Sequence, residues 1–191
     1  RDRSVSRGLG DVYKRQIYCV IMTAVAMLGF IPIMMPMLCV LVPLLGGIPM
    51  MLFMTKVKKF GMITIYSIIV GLFLWVTGMG YWPFIFGIVF GFIADLIAKS
   101  GNYKSSKKTI ASYAVFSLII FGNFVPLLIN AEEYFLTRQS FGEAYITSLT
   151  EIMGNTWLAP LLAVSCLVCG IIGGFIGKAI LKKHFVKAGI A

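Results

Sequence analysis

The sequence predicts an all-α integral membrane protein, a bundle of six transmembrane helices with both ends on the cytoplasmic side. Three observations predict it. Hydrophobic residues make up 59% of the 191 positions and charged residues only 13%, where soluble domains carry about 25% charge. The mean hydropathy is +0.93, and a small soluble fold could not cover its surface with so few polar groups. After residue 16, every basic residue except Arg138 falls in one of three clusters: Lys56/Lys58/Lys59, Lys99/Lys104/Lys107/Lys108 and Lys178/Lys182/Lys183/Lys187. Basic loops are retained on the cytoplasmic side, so this alternation of lysine-rich and lysine-free gaps sets both span number and sidedness.

Arg1–Gln16 (RDRSVSRGLGDVYKRQ) differs from the rest. It holds five basic and two acidic residues and no apolar run. It lacks the apolar core and small-residue cleavage site of a signal peptide. The stretch VSRGLGDVYKRQ is similar to translated adapter sequence, so residues 1–16 are expected to be non-native and 17–191 to form a single membrane domain. The alternative is a cytoplasmic basic tail, which agrees with the same orientation.

A helix needs about 20 apolar residues to cross the hydrocarbon core. The first span, Ile17–Ile31, is shorter, as expected if its beginning has been replaced. Pro32 and Pro36 bracket a charge-free turn. The second span, Met34–Met54, contains Pro43, Gly46, Gly47 and Pro49, which remove a backbone donor or weaken the helix and predict a kink. Gly61–Val76 and Tyr81–Ala98 form the third and fourth, joined by Thr77–Gly80. The fifth runs Thr109–Ile129. A polar segment, Asn130–Thr156, is expected outside, before the sixth span at Trp157–Leu181.

Several features bear on chemistry. Gly170-x-x-x-Gly174, Gly173-x-x-x-Gly177 and Gly87-x-x-x-Gly91 place small residues on one helix face, for packing within the bundle or against a partner subunit. Cys166-x-x-Cys169 has redox spacing but sits in mid-helix without a βαβ context, and reads as packing. Asp95, the one acid inside an expected span, stands four residues before Lys99, the order of a helical ion pair; a proton relay is the other reading. Asn123 and Asn130 are seven apart, two turns along one face of the fifth helix, with Pro126 between them to bend it. Amides there are costly unless paired or used for binding. Trp82, Tyr134 and Trp157 gather at the same outer ends, where aromatic belts are also ordinary.

An enzyme is not expected. Glu132-Glu133 and Arg138 are one residue out of register for an intramembrane CAAX-type protease, and the single histidine, His184, lies in the tail. There is no Walker A sequence, no metal-ligand cluster and no cofactor motif. The net charge of +10 lies at span ends, so lipid rather than nucleic acid is the expected partner.

From Val25 onward, VAMLGFIPIMMP, MLFMTKVKKFGM, TGMGYWP, FGFIADLIAKSGNYKS, SYAVFSL and IGGFIGKAILKKHFVKAGIA resemble the Trep_Strep family, also labelled MptD-like. The resemblance implies a substrate-binding S component of an energy-coupling factor (ECF) transporter in a bacterial plasma membrane. Such a subunit has no ATPase. It works with an ECF transmembrane coupling subunit and two ABC-type ATPase subunits, captures a vitamin-like micronutrient outside and topples to release it. The implied pocket draws on the Phe30–Met35 turn, the Gly78–Trp82 turn and Asn123–Asn155, with Trp82, Asn123, Asn130, Glu133, Tyr134 and Trp157 as candidate substrate-binding residues. One departure is that the first helix offers only Cys19 and Thr23 at the four-residue spacing used for docking the coupling subunit. A self-contained secondary transporter or channel is the rival reading, with a purely structural subunit as a third.

Overall fold

A computed structural model describes residues 27–136 and 142–182. Residues 17–26 of the first expected span lie outside them, as do Cys19, Thr23, Arg138 and His184. The described residues are helical, with no strand among them. They comprise α1 (Met34–Lys56), α2 (Met62–Leu74), α3 (Trp82–Ser100), α4 (Ser106–Phe116), α5 (Leu118–Gly122), α6 (Val125–Ile129), α7 (Ala131–Leu136), α8 (Glu143–Met153) and α9 (Leu158–Ile180). A 3-10 turn, Leu28–Phe30, leads into α1. A π-helical turn, Trp75–Met79, extends α2.

Among the described residues, four helices are long and apolar enough to cross a bilayer: α1, α2 with its π turn, α3 and α9. The expected fifth span is instead three short helices in series. Pro126 has no amide to donate, and the chain tightens before it, with Asn123 N donating to Ile120 O and Phe124 N to Phe121 O. A similar tightening follows Ser117, whose carbonyl accepts from Ile120 N at 3.1 Å. Asn123 and Asn130 therefore do not share one continuous helix face, because Asn130 has left the helix with φ −152° and ψ 91°. By contrast α1 stays one helix through Pro43 and Pro49.

The bundle is assembled small side in and bulky side out. Among the closest pairs are α1 with α9 and α2 with α3. A Cβ on Gly47 would strike the Gly173 carbonyl, and one on Gly173 or Gly177 would strike the Pro43 or Gly47 carbonyl. Gly170 and Gly174 turn instead to Ala114/Ser117 and Ile110 of the α4 strut. The two overlapping glycine pairs of α9 thus serve two different neighbours, and Gly87 and Gly91 seat α3 on Ser67 of α2. Ile65, Phe73, Ile88, Phe92, Val164 and Phe175 face outward, as side chains in contact with lipid do.

Buried hydroxyls tie the helices across these narrow gaps. Ser67 donates to Gly87 O at 2.6 Å, Ser112 to Ala94 O at 2.7 Å, Tyr113 to Pro43 O at 2.6 Å and Ser117 to Cys166 O at 2.8 Å. Each joins a polar side chain to a neighbouring backbone where no water competes. Cys39 and Cys166 are fully buried in the core, in keeping with a packing role for Cys166.

The up-and-down course gives the bundle two ends. One carries Lys56, Lys99, Lys104 and Lys178. The other gathers the Trp75–Trp82 turn, Asn123 and the start of α9 at Trp157. The segment expected as an outer polar stretch is folded there into α7 and α8. Tyr145, Leu149 and Met153 of α8 share one face and are buried with Tyr134, Phe135, Leu127, Leu162 and Cys39.

Candidate functional site

At the lysine end the ion pair expected between Asp95 and Lys99 is not made. Asp95 is fully buried. Its Oδ2 accepts from Gly61 N at 2.7 Å, Thr64 N at 3.3 Å and Thr64 Oγ1 at 3.1 Å, and its Oδ1 accepts from Tyr103 OH at 3.0 Å. The carboxylate caps the amino end of α2, where unpaired amides and the helix dipole favour negative charge. Lys99 points elsewhere, its ammonium 4.8 Å from the centre of the Phe60 ring.

Tyr103 reaches Asp95 because α3 ends in a Schellman turn. Tyr103 N donates to Ala98 O and Asn102 N to Lys99 O. Asn102 and Tyr103 both take left-handed backbone, φ 49° and 55°, a conformation uncommon outside glycine. The turn folds the tyrosine back over its own helix. Burial, then the hydrogen bond and charge of Asp95, push its phenol up to about 12, so it remains a donor at neutral pH.

The opposite end holds the candidate binding residues. Asn130 and Glu133 are brought together: Glu133 N donates to Asn130 Oδ1 and Asn130 Nδ2 to Glu133 Oε2, each at 3.2 Å. This is a reciprocal cap at the start of α7. Tyr134 is buried beside Phe135, ring to ring at 5.2 Å. Trp157, at the head of α9, is 81% exposed. Trp82 stacks on Tyr81 and meets Phe86 edge-on, and Phe86 in turn touches Phe121, next but one to Asn123. Trp82 and Asn123 are thus linked through an aromatic chain, while Asn130/Glu133, Tyr134 and Trp157 occupy separate places on the same end.

Among the described residues, Asn123 is the buried side chain with unfinished bonding. Its Nδ2 donates to Ile120 O at 3.1 Å. Its Oδ1 is buried and finds no donor. An amide oxygen enclosed without a partner costs free energy, and it sits where the α4–α6 strut is broken.

Two further features at this end escaped sequence reasoning. Tyr145 donates to Gly29 O at 2.6 Å and lies 3.3 Å from Met35 Sδ, fastening α8 to the approach to α1. Burial and the neighbouring Tyr134 raise its phenol, which keeps it a donor. The four-residue spacing of Tyr145, Leu149 and Met153 was the available signal for α8, as was Asn130-x-x-Glu133 for the start of α7. No cluster of three or more potential metal ligands occurs among the described residues.

No curated protein and no solved structure gives a significant match. A family model does, over residues 15–187, and the chain therefore belongs to Trep_Strep, a family of hypothetical bacterial integral membrane proteins.

Proposed function

We propose that this protein is the substrate-binding S component of an ECF-type importer. It captures a small, vitamin-like solute at the end of the bundle covered by α7 and α8. In this reading six spans cross the bacterial plasma membrane, the broken α4–α6 strut being the fifth. The lysine end and both termini lie in the cytoplasm, as the retention of basic loops requires. The observation that carries the reading is Asn123, whose buried Oδ1 has no donor at a break in the strut. A solute bringing an N–H or O–H group would complete that bonding, and the Trp82–Phe86–Phe121 aromatic chain at the same end supplies flat apolar surface. Asn130, Glu133, Tyr134 and Trp157 would frame the same end, the last as an exposed ring free to close over bound solute.

The chain carries no ATPase of its own in this proposal and draws its energy from a transmembrane coupling subunit and two ABC-type ATPases. The Pro43–Pro49 stretch was the one hint towards the secondary-transporter alternative, which would use paired broken helices, and α1 runs as one helix through it. Co-expression of the tagged protein with its host's coupling subunit and both ATPases, followed by purification in mild detergent, tests the proposal. A stoichiometric four-subunit complex is expected. Folded, abundant protein recovered without those partners, and active in solute uptake when reconstituted alone, would overturn it.

A further inference from the structure

At the lysine end a cleft of about 300 Å³ opens between α1, α4 and α9. Its rim carries Lys104, Lys178 and Lys182, from two separate stretches of the chain, its floor is Met51 and Met54, and Ser106 also lines it. Both methionines are buried, 4% and 5% exposed. No carboxylate lines the cleft. The one acid of this end among the described residues, Asp95, is enclosed and spends its oxygens on Gly61, Thr64 and Tyr103. Three lysines thus line one concavity with no carboxylate among its lining residues, and like charges held together favour an anionic occupant.

The position in the bundle narrows the occupant. Lys104 lies in the α3–α4 turn and Lys178 in the last turn of α9, where spanning helices meet the headgroup layer. A phosphate in that layer reaches the ammonium groups from the membrane side. The methionine floor beneath offers an apolar bed to the glycerol and first acyl carbons, and thioether side chains adapt to irregular chains. We propose that this cleft is a binding site for the phosphate headgroup of an anionic phospholipid, distinct from the Asn123 end and independent of the transport reading. Lysines spread over a cytoplasmic surface attract anionic lipid diffusely; here three lysines and two buried methionines share one cleft, and that grouping, not charge alone, sets the site.

The test uses purified, delipidated protein and a native-mass readout of retained lipid, with phosphatidylglycerol and phosphatidylcholine vesicle lipids and inorganic phosphate as the probes. Phosphatidylglycerol should be retained and should raise the thermal unfolding midpoint, while phosphatidylcholine and millimolar phosphate do neither. Combined Lys104→Gln, Lys178→Gln and Lys182→Gln should weaken retention roughly a hundredfold, at about a tenfold or less per lysine near the surface. Lys58→Gln, Lys59→Gln and Lys107→Gln together remove equal charge outside the cleft and should change retention less than threefold, by our order-of-magnitude expectation for diffuse attraction. Equal loss in the two triple variants would overturn the site in favour of diffuse attraction. Equal stabilisation by inorganic phosphate would overturn the lipid as its occupant.

Discussion

The two ends of the bundle treat polar groups in opposite ways. At the lysine end a fully buried carboxylate has both oxygens engaged, by the first turn of α2 and by a tyrosine held in a left-handed turn. At the other end a buried amide oxygen is left without a donor, in a strut that breaks twice. A protein in lipid has no water to satisfy stray polar atoms, so the first arrangement reads as structure, while the second is the one on which the proposed binding site rests. The contrast separates what holds the fold from what serves it.

Substitutions can break or sharpen this contrast. The largest loss of stability is expected from Asp95→Leu, which orphans two α2 amides and two hydroxyls. It should cost about 3 kcal/mol, seen as a lowered unfolding midpoint in detergent. Tyr103→Phe comes next, at about 2 kcal/mol for one bond to a carboxylate. It also carries a pH signature. The Tyr103 phenol is raised from 10.0 to about 12, so its contribution is full below pH 10. That contribution is lost as pH climbs through 12, because the unfolded chain gives up the proton first. The phenylalanine variant should lack this step in an alkaline melting series. Asn130→Ala removes the α7 cap and should cost about 1 kcal/mol. A double-mutant cycle with Glu133→Ala would show coupling if the cap is reciprocal.

Asn123→Leu should cost least, within about 1 kcal/mol of wild type, since it removes an unsatisfied acceptor along with one bond. Under the proposed function it should nevertheless abolish solute retention. If Asn123→Leu proved as destabilising as Asp95→Leu, the amide would be a packing group and the functional contrast would fail.

Much of the frame was legible in the sequence. The ends of α1, α3 and α9 fall within two residues of the apolar runs Met34–Met54, Tyr81–Ala98 and Trp157–Leu181, because hydrocarbon thickness sets helix length directly. The glycine spacings pointed to packing within the bundle, and α9 uses both registers for it. What stayed hidden was tertiary. The α4–α6 strut reads as one apolar run, since hydropathy does not register hydrogen bonds tightened around Ser117 and Asn123. The glutamates of Asn130–Thr156 and its lack of lysine made the segment holding α8 read as an outer polar stretch, although Tyr145, Leu149 and Met153 repeat every fourth residue and fill the core. Asp95 was matched to Lys99 along its own helix, when its partners come from α2 and from the α3–α4 turn. Of the candidate residues, the sequence placed Asn123 and Asn130 on one helix face and did not show that Asn130 and Glu133 bond each other while Asn123 Oδ1 is left without a donor.

The backbone-to-backbone seating of α1 on α9 through Gly47, Gly173 and Gly177 has a consequence for how this family can vary. In a soluble domain the least replaceable positions are the large core residues, whose loss leaves a hole. Here a single added methyl at the thinnest positions would force two helices apart, while Phe73, Val76 or Phe175, exposed on the outer faces, can be exchanged for almost any apolar residue. Intolerance to change should therefore rise as side chains shrink, and the map of permissible substitutions would be an inverted image of the familiar one.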